Sequence, residues 1–269
     1  MLDPSEPAAR IVAAVAFIAL VGWLVVRGFR RRREYPRFRR LRSTALRQRT
    51  MRRWLLDSCA TFGGLAVVGL LVAGSSVSPL LTETAGWPVV AAPRAWLATW
   101  WPLALVAGLA LIGGLVALTI AGARAARTEG LPAVGDIRAL LPRNRGELRW
   151  GALLAVNACV VEELLFRLAV PALLFQASGS ALLAVGASLA LFAGLHAYQG
   201  VAGVVGTAIV GALLTAVWLL SGSVLVAIVL HALFDLRTLV VIPMLVGRVH
   251  RETGRGAALS RPSPSPPAA

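Results

Sequence analysis

Long apolar stretches separated by short polar or charged segments recur along the whole chain. A helix needs roughly 20 mostly apolar residues to cross a bilayer, and each stretch is close to that length. The pattern therefore predicts an all-α protein, a polytopic transmembrane bundle of about seven spans. The predicted spans cover residues 11–26, 55–73, 102–122, 151–176, 181–198, 201–220 and 224–247.

The composition supports this class. The 269 residues are 58% hydrophobic and only 14% charged, whereas the surface of a soluble domain of this length needs more charge. Cys59 and Cys159 are the two cysteines, both inside predicted spans and without C-x-x-C spacing. They are typical of small packing residues and indicate neither a disulfide framework nor a zinc knuckle.

The net charge of +15 is unevenly distributed. Thirteen of the 27 basic residues, all of them Arg, lie from Arg27 to Arg53. A nucleic-acid partner is one interpretation, but no recognisable nucleic-acid-binding fold surrounds this strip. A basic run beside a membrane span is more simply a cytoplasmic anchor attracted to anionic lipid. We therefore predict anionic lipid as a partner of the Arg27–Arg53 strip and no nucleic acid.

The order of charges around the first span predicts the orientation. Acidic residues precede this span and Arg residues follow it, the reverse of a cleavable signal peptide. We expect a multi-pass protein of the cell membrane with its N-terminus outside and its C-terminus in the cytoplasm. An external loop, with Trp87 and Trp96 at the interface, is expected between the second and third spans.

Ionisable residues inside the later spans are the chemical signal. A charged side chain at the centre of a span costs about 2.5 to 3.5 kcal/mol, so such residues pair inside the bundle or line a water-filled cavity. A structural polar network is the alternative to a functional site. The residues are Glu162, Glu163, Arg167, His196, His231, Asp235 and Arg237.

Helical spacing distinguishes the two adjacent glutamates. Glu163 and Arg167 are four residues apart and are set for an ion pair, whereas Glu162 points elsewhere. Glu162 is therefore the carboxylate available for general acid or base work. His231 and Asp235 have the same spacing, so the carboxylate can orient the imidazole.

One Glu, two His and one Asp could act in either of two ways. They could activate water and stabilise an oxyanion directly, or they could hold a zinc ion that does so. In the second case Glu162, His196 and His231 would be the ligands. No H-E-x-x-H sequence is present, which excludes the usual zincin arrangement.

Three short segments resemble one known family. Glu162–Arg167 resembles the EExxxR motif of the CAAX protease and bacteriocin-processing family (CPBP, or Abi). The segment 192–196 is similar to its FxxxH motif, and the segment 231–235 to its HxxxN/D motif. The three occur in the family's order, each on a predicted span. The resemblance covers about residues 151–240, and the first three spans contribute nothing to it.

The resemblance implies an intramembrane endopeptidase with a four-helix catalytic core from spans four to seven and no required cofactor. Glu162 and His196 would activate the attacking water, and His231 with Asp235 would stabilise the oxyanion. Because an ionised Asp cannot donate a hydrogen bond, Asp235 is either protonated or only orients His231. The supporting residues would be Glu163, Arg167 and Phe192.

This resemblance also divides the chain. We expect an N-terminal membrane region over residues 1–150 with three spans and the Arg-rich cytoplasmic loop. The protease-like core covers 151–247, and a polar, disordered tail covers 248–269. The partner would be a membrane-associated peptide or protein substrate.

Three other functions are open. The same cavity could bind a peptide without cleaving it, as in an immunity or scaffold protein. The buried Glu and His could instead form the relay of a proton-coupled transporter. A zinc-dependent protease is the third.

Overall fold

The computed structural model describes residues 6–129, 138–247 and 249, and all regular structure within them is helical. This confirms the all-α prediction. The first six helices are α1 (Pro7–Arg39), α2 (Thr44–Ser58), α3 (Gly64–Ala73), α4 (Val77–Ala85), α5 (Pro88–Thr99) and α6 (Trp101–Glu129). The next six are α7 (Arg145–Glu163), α8 (Val170–Ser178), α9 (Ala181–Leu195), α10 (Gly200–Ser221), α11 (Val224–Leu236) and α12 (Ile242–Gly247).

Three π-helical turns join consecutive helices without breaking them. They cover Cys59–Gly63 between α2 and α3, Leu164–Ala169 between α7 and α8, and Arg237–Val241 between α11 and α12. The second turn lies just before Pro171, which has no amide hydrogen to donate to the preceding helical turn. Since π-helical turns are frequent at functional sites, the overlap of this turn with the segment 162–167 is informative.

Five helical stretches in the described residues are long and apolar enough to cross a membrane: Pro7–Arg39, Thr44–Ala85, Trp101–Gly122, Ala181–Ser221 and Val224–Val246. The prediction was about seven spans. The predicted fourth span is helical, but Glu162, Glu163 and Arg167 interrupt its apolar character. The predicted fifth and sixth spans together form the single stretch Ala181–Ser221.

That stretch is a helical hairpin. A Cβ added to Gly211 of α10 would meet the side chain of Phe192 at 2.8 Å and that of Leu189 at 3.0 Å, both on α9. Residues about 20 apart along one straight helix would be separated by roughly 30 Å. The chain therefore folds back through a short 3₁₀ turn, Ala197–Gln199, and Gly200 with a φ of 79°.

Some predicted boundaries were wrong. The expected external loop before the third span is largely helical, as α4 and α5. The first apolar run continues as α1 to Arg39, so much of the Arg27–Arg53 strip is helical and extends into α2. Helix α9 ends at Leu195, which leaves His196 at the helix terminus rather than within the span.

Polar side chains join the helices at one end of the bundle. The N-terminus of α1, the join between α8 and α9, and the C-terminus of α10 meet there. The contacts are from Arg10 to the Ala177 carbonyl, from Gln176 to the Ala9 carbonyl, from Ser76 to Gln176, and from Arg94 to the Leu220 carbonyl. With an external N-terminus and seven spans, the joins after the second, fourth and sixth spans are expected outside. The contacts at this end involve these joins and the N-terminus.

The other end, which we call the Arg-rich end, contains a buried ion pair between α2 and α7. Arg47 Nε donates to Glu147 Oε2 at 3.0 Å, and both side chains are fully buried. The Arg47 guanidinium also lies over the Phe38 ring and donates to the Ala139 carbonyl. Phe38 and Ala9 are about 40 Å apart along α1, so the two sets of contacts lie at opposite ends.

Arg47 refines the prediction for the Arg27–Arg53 strip. Its guanidinium is buried against protein, and Arg27 forms an ion pair with Asp57. Neither charge is therefore free for lipid, whereas Arg49 and Arg52 are exposed. Contact of the exposed arginines with anionic lipid stays a prediction.

Candidate active site

Glu163 is the fully buried centre of a three-residue polar cluster. Its Oε2 lies 3.2 Å from Arg167 Nε, which is the ion pair predicted from the helical spacing. Its Oε1 accepts a hydrogen bond from His231 Nδ1 at 2.9 Å. Arg167 also donates to the Gly211 carbonyl at 3.1 Å and lies over the Phe192 ring, 4.9 Å from the ring centre. The cluster fastens α7, α9, α10 and α11 together.

Glu162 occupies a different position although it is the next residue. It lines an internal cavity and is only partly buried, and among the described residues no hydrogen bond or ion pair engages its carboxylate. The sequence analysis assigned the two glutamates to different faces, and the structure places them so. A carboxylate with access to a cavity can accept or release a proton, whereas one held by Arg and His cannot without breaking the cluster.

His196 lies at the end of α9 and lines the same cavity as Glu162. Its Nδ1 is 2.8 Å from the carbonyl oxygen of Phe192. Since a carbonyl can only accept, Nδ1 carries the hydrogen and Nε2 of the neutral ring has a lone pair. His196 is thus held in the tautomer that can accept a proton at Nε2.

His231 and Asp235 lie one helical turn apart on α11, as predicted. His231 Nε2 is 3.8 Å from Asp235 Oδ2, which is beyond a hydrogen bond. Cys159 Sγ, one turn before Glu163 on α7, lies 4.0 Å from the same Asp235 oxygen. Asp235 therefore stands between a buried imidazole and a buried thiol, with its own side chain partly exposed.

The cavity has a volume of about 600 Å³ and contains all four predicted catalytic residues in its wall. Glu162, His196, His231 and Asp235 come from α7, α9 with its terminus, and α11. Residues of α1, α2 and α6 also line the cavity; examples are Tyr35, Trp54 and Leu118. Tyr35 and Trp54 place the cavity toward the Arg-rich end. The N-terminal helices, which carry no motif, thus help to enclose the site.

Sequence reasoning missed two features of this site. The hydrogen bond between Glu163 and His231 joins residues 68 apart in the chain, which helical spacing cannot reveal. Cys159 was interpreted as a packing residue, yet its thiol faces Asp235. The spacing of four between Cys159 and Glu163 places both on one face of α7, and this was the available signal.

The structure groups a different set of potential metal ligands from the predicted one. Among the described residues, Cys159, His231 and Asp235 have ligand atoms that all lie within 4.8 Å of one another. Glu162 and His196, which were the other predicted zinc ligands beside His231, are outside this group.

The cavity contains charged side chains and is surrounded by apolar helices. This arrangement is that of a membrane protein with a polar site inside its helical bundle. Residues 144–237 match the family model described as Type II CAAX prenyl endopeptidase Rce1-like, which confirms the predicted resemblance over that segment. No curated protein and no solved structure matches the chain. The segment 144–237 is thus similar to a family of proteases, and the apolar helices are those of a multi-pass membrane protein.

Proposed function

We propose that this protein is an intramembrane endopeptidase that hydrolyses a peptide bond in a membrane-associated protein or peptide. The main observation behind the proposal is that the two adjacent glutamates have different environments. The Glu163 carboxylate forms an ion pair with Arg167 and a hydrogen bond with His231, while Glu162 lines the cavity together with His196. A purely structural network needs only the Glu163 carboxylate, which already pairs with Arg167 and His231. It would not require the Glu162 carboxylate in the cavity.

In the proposed reaction, Glu162 accepts a proton from a water molecule as the oxygen attacks the scissile carbonyl carbon. His196 orients this water through Nε2, because Nδ1 is held by the Phe192 carbonyl. The proton on Glu162 is then transferred to the leaving amine as the C–N bond breaks. One water is consumed, and an acid and an amine are formed.

His231 is proposed to stabilise the oxyanion. With Nδ1–H donating to Glu163, its Nε2 donates to the oxyanion only when the ring carries both protons. Glu163 would support that form by facing the ring with a carboxylate. Asp235, 3.8 Å from Nε2, orients the ring on the cavity side.

The family match supports a substrate attached to the membrane surface near its cleavage site. The matching family is described as a CAAX prenyl endopeptidase, and a prenyl group is one way to hold a peptide at the bilayer. The cavity is walled by apolar side chains as well as by the charged residues, which suits a lipid-bearing or hydrophobic peptide.

The test compares membrane-peptide termini from cells expressing wild type, Glu162→Gln or Glu6→Gln at equal levels. Glu6 is exposed at the N-terminus of α1, far from the cavity, and serves as the matched control. We expect new termini with wild type and Glu6→Gln but none with Glu162→Gln. Identical termini in all three, with each protein folded and abundant, would contradict the proposal and favour a binding or transport function.

A further inference from the structure

Three chemically different side chains converge on one point of the cavity wall. Cys159 projects from α7, and His231 and Asp235 project from α11. Their ligand atoms all lie within 4.8 Å of one another, with 4.0 Å from Sγ to Oδ2 and 3.8 Å from Nε2 to Oδ2. The proposed cleavage reaction has no role for Cys159.

We propose that Cys159, His231 and Asp235 form a binding site for a divalent transition metal of the zinc type. Thiolate, imidazole and carboxylate are the ligands that zinc takes in proteins. Zinc bond lengths of about 2.0 to 2.3 Å in tetrahedral geometry place ligand atoms about 3.3 to 3.7 Å apart. The two measured pairs, at 3.8 and 4.0 Å, need closing by a few tenths of an ångström. The third pair, from Cys159 to His231, lies within 4.8 Å and needs closing by at most about 1 Å.

The hydrogen bond between Glu163 and His231 is an independent observation that favours this site. Metal-binding histidines typically donate the hydrogen of the other ring nitrogen to a carboxylate, which fixes the tautomer and the ring orientation. Here Glu163 accepts from Nδ1 at 2.9 Å, and Nε2 is the nitrogen that faces Asp235. Glu163 is itself fixed by Arg167, so the ring is held from behind.

The charge of these three ligands and their access to the cavity also suit a divalent cation. The thiol releases its proton to solvent on binding, and a thiolate with one carboxylate then neutralises a divalent cation. Asp235 is partly exposed to the cavity, so a fourth position can be taken by water. Nε2 cannot hold a metal and a proton at once, so the metal-bound protein lacks the oxyanion donor of the proposed reaction and is a different state of the site from the one that cleaves. This metal site differs from the predicted set of Glu162, His196 and His231.

The experiment uses the purified full-length protein in detergent, freed of metal by a chelator. Cobalt(II) is then titrated and followed by absorption, because a thiolate ligand gives a charge-transfer band in the near ultraviolet. Zinc content is measured in parallel after zinc loading and desalting. We expect one equivalent of metal and a thiolate band in wild type.

The two cysteines provide a matched pair of variants. Cys59 is exposed and Cys159 is buried beside Asp235. Cys159→Ser should lose the thiolate band and bind zinc at least about tenfold more weakly, whereas Cys59→Ser should retain both. Asp235→Asn, checked for unchanged unfolding temperature, is expected to weaken zinc binding as well.

Two results would overturn the proposal. One is the absence of a thiolate band in wild type, or its persistence in Cys159→Ser. The other is loss of metal from Glu162→Gln or His196→Ala, which would place the ion on the alternative ligand set. Both readouts are independent of peptide cleavage, so failure of the metal site and failure of the proposed protease function are distinguishable.

Discussion

At the scale of single residues, two adjacent glutamates with the same chemistry have different environments. Helical spacing alone separated them, because 100° between neighbours turns one toward Arg167 and the other away. Helical spacing could not predict which residues of other helices each side chain would contact. That Glu163 also meets His231 depends on how α7 packs against α11, which is a tertiary contact without a local signal.

The buried position of Glu163 leads to a prediction about stability. Glu163→Gln removes the charge that balances Arg167 and leaves a buried guanidinium without an anion. Breaking a buried ion pair in this way costs about 3 to 5 kcal/mol. We therefore expect a much lower unfolding temperature in detergent for Glu163→Gln than for Glu162→Gln, whose carboxylate faces the cavity. Equal destabilisation by the two variants would show that Glu162 is also structurally engaged.

At the scale of helices, the sequence predicted the apolar segments well but not how they end. Length and hydropathy located the spans because the bilayer imposes both. Residues 77–99 were expected to form a loop and are helical. Pro79, Gly86 and Pro88 lie at helix termini or in a first turn, where they are tolerated, whereas Pro93 lies inside α5. The hairpin at Ala197–Gln199 required the positive φ of Gly200.

Close packing between α3 and the π-helical turn Leu164–Ala169 is a testable property of these elements. A Cβ at Gly69 would lie 2.9 Å from the Ala169 Cβ, whereas a Cβ at Gly64 in the same helix has no neighbour within 4 Å. Gly69→Ala should therefore lower the free energy of unfolding by about 1 to 3 kcal/mol through overpacking.

Gly64→Ala is the matched control and should be neutral or stabilising by up to about 1 kcal/mol, because alanine is the better helix former. Thermal unfolding in detergent measures both variants. If Gly69→Ala unfolds at the same temperature as Gly64→Ala, α3 does not pack against the turn that carries Arg167. Such a result would also remove the support that the N-terminal helices give to the site.

At the scale of the whole molecule, two sets of polar contacts lie at opposite ends of the bundle. The N-terminus and the joins after α8 and α10 share one end, while Arg47, Glu147 and the rest of the Arg-rich strip share the other. The positive-inside rule predicted that these groups lie on different sides of the membrane. Which side is cytoplasmic is a property of insertion, and the fold alone has no bearing on it.

We therefore predict the orientation from the charges and test it with single cysteines in a Cys59→Ser, Cys159→Ser background. Ser221→Cys lies at the exposed C-terminus of α10, and Arg42→Cys lies in the exposed part of the Arg-rich strip. A membrane-impermeant maleimide added to intact cells should label Ser221→Cys and leave Arg42→Cys unmodified until the cells are permeabilised. The cavity lies toward the Arg-rich end through Tyr35 and Trp54, so this outcome would make its substrate side cytoplasmic. Labelling of Arg42→Cys alone in intact cells would invert the protein and place that side outside.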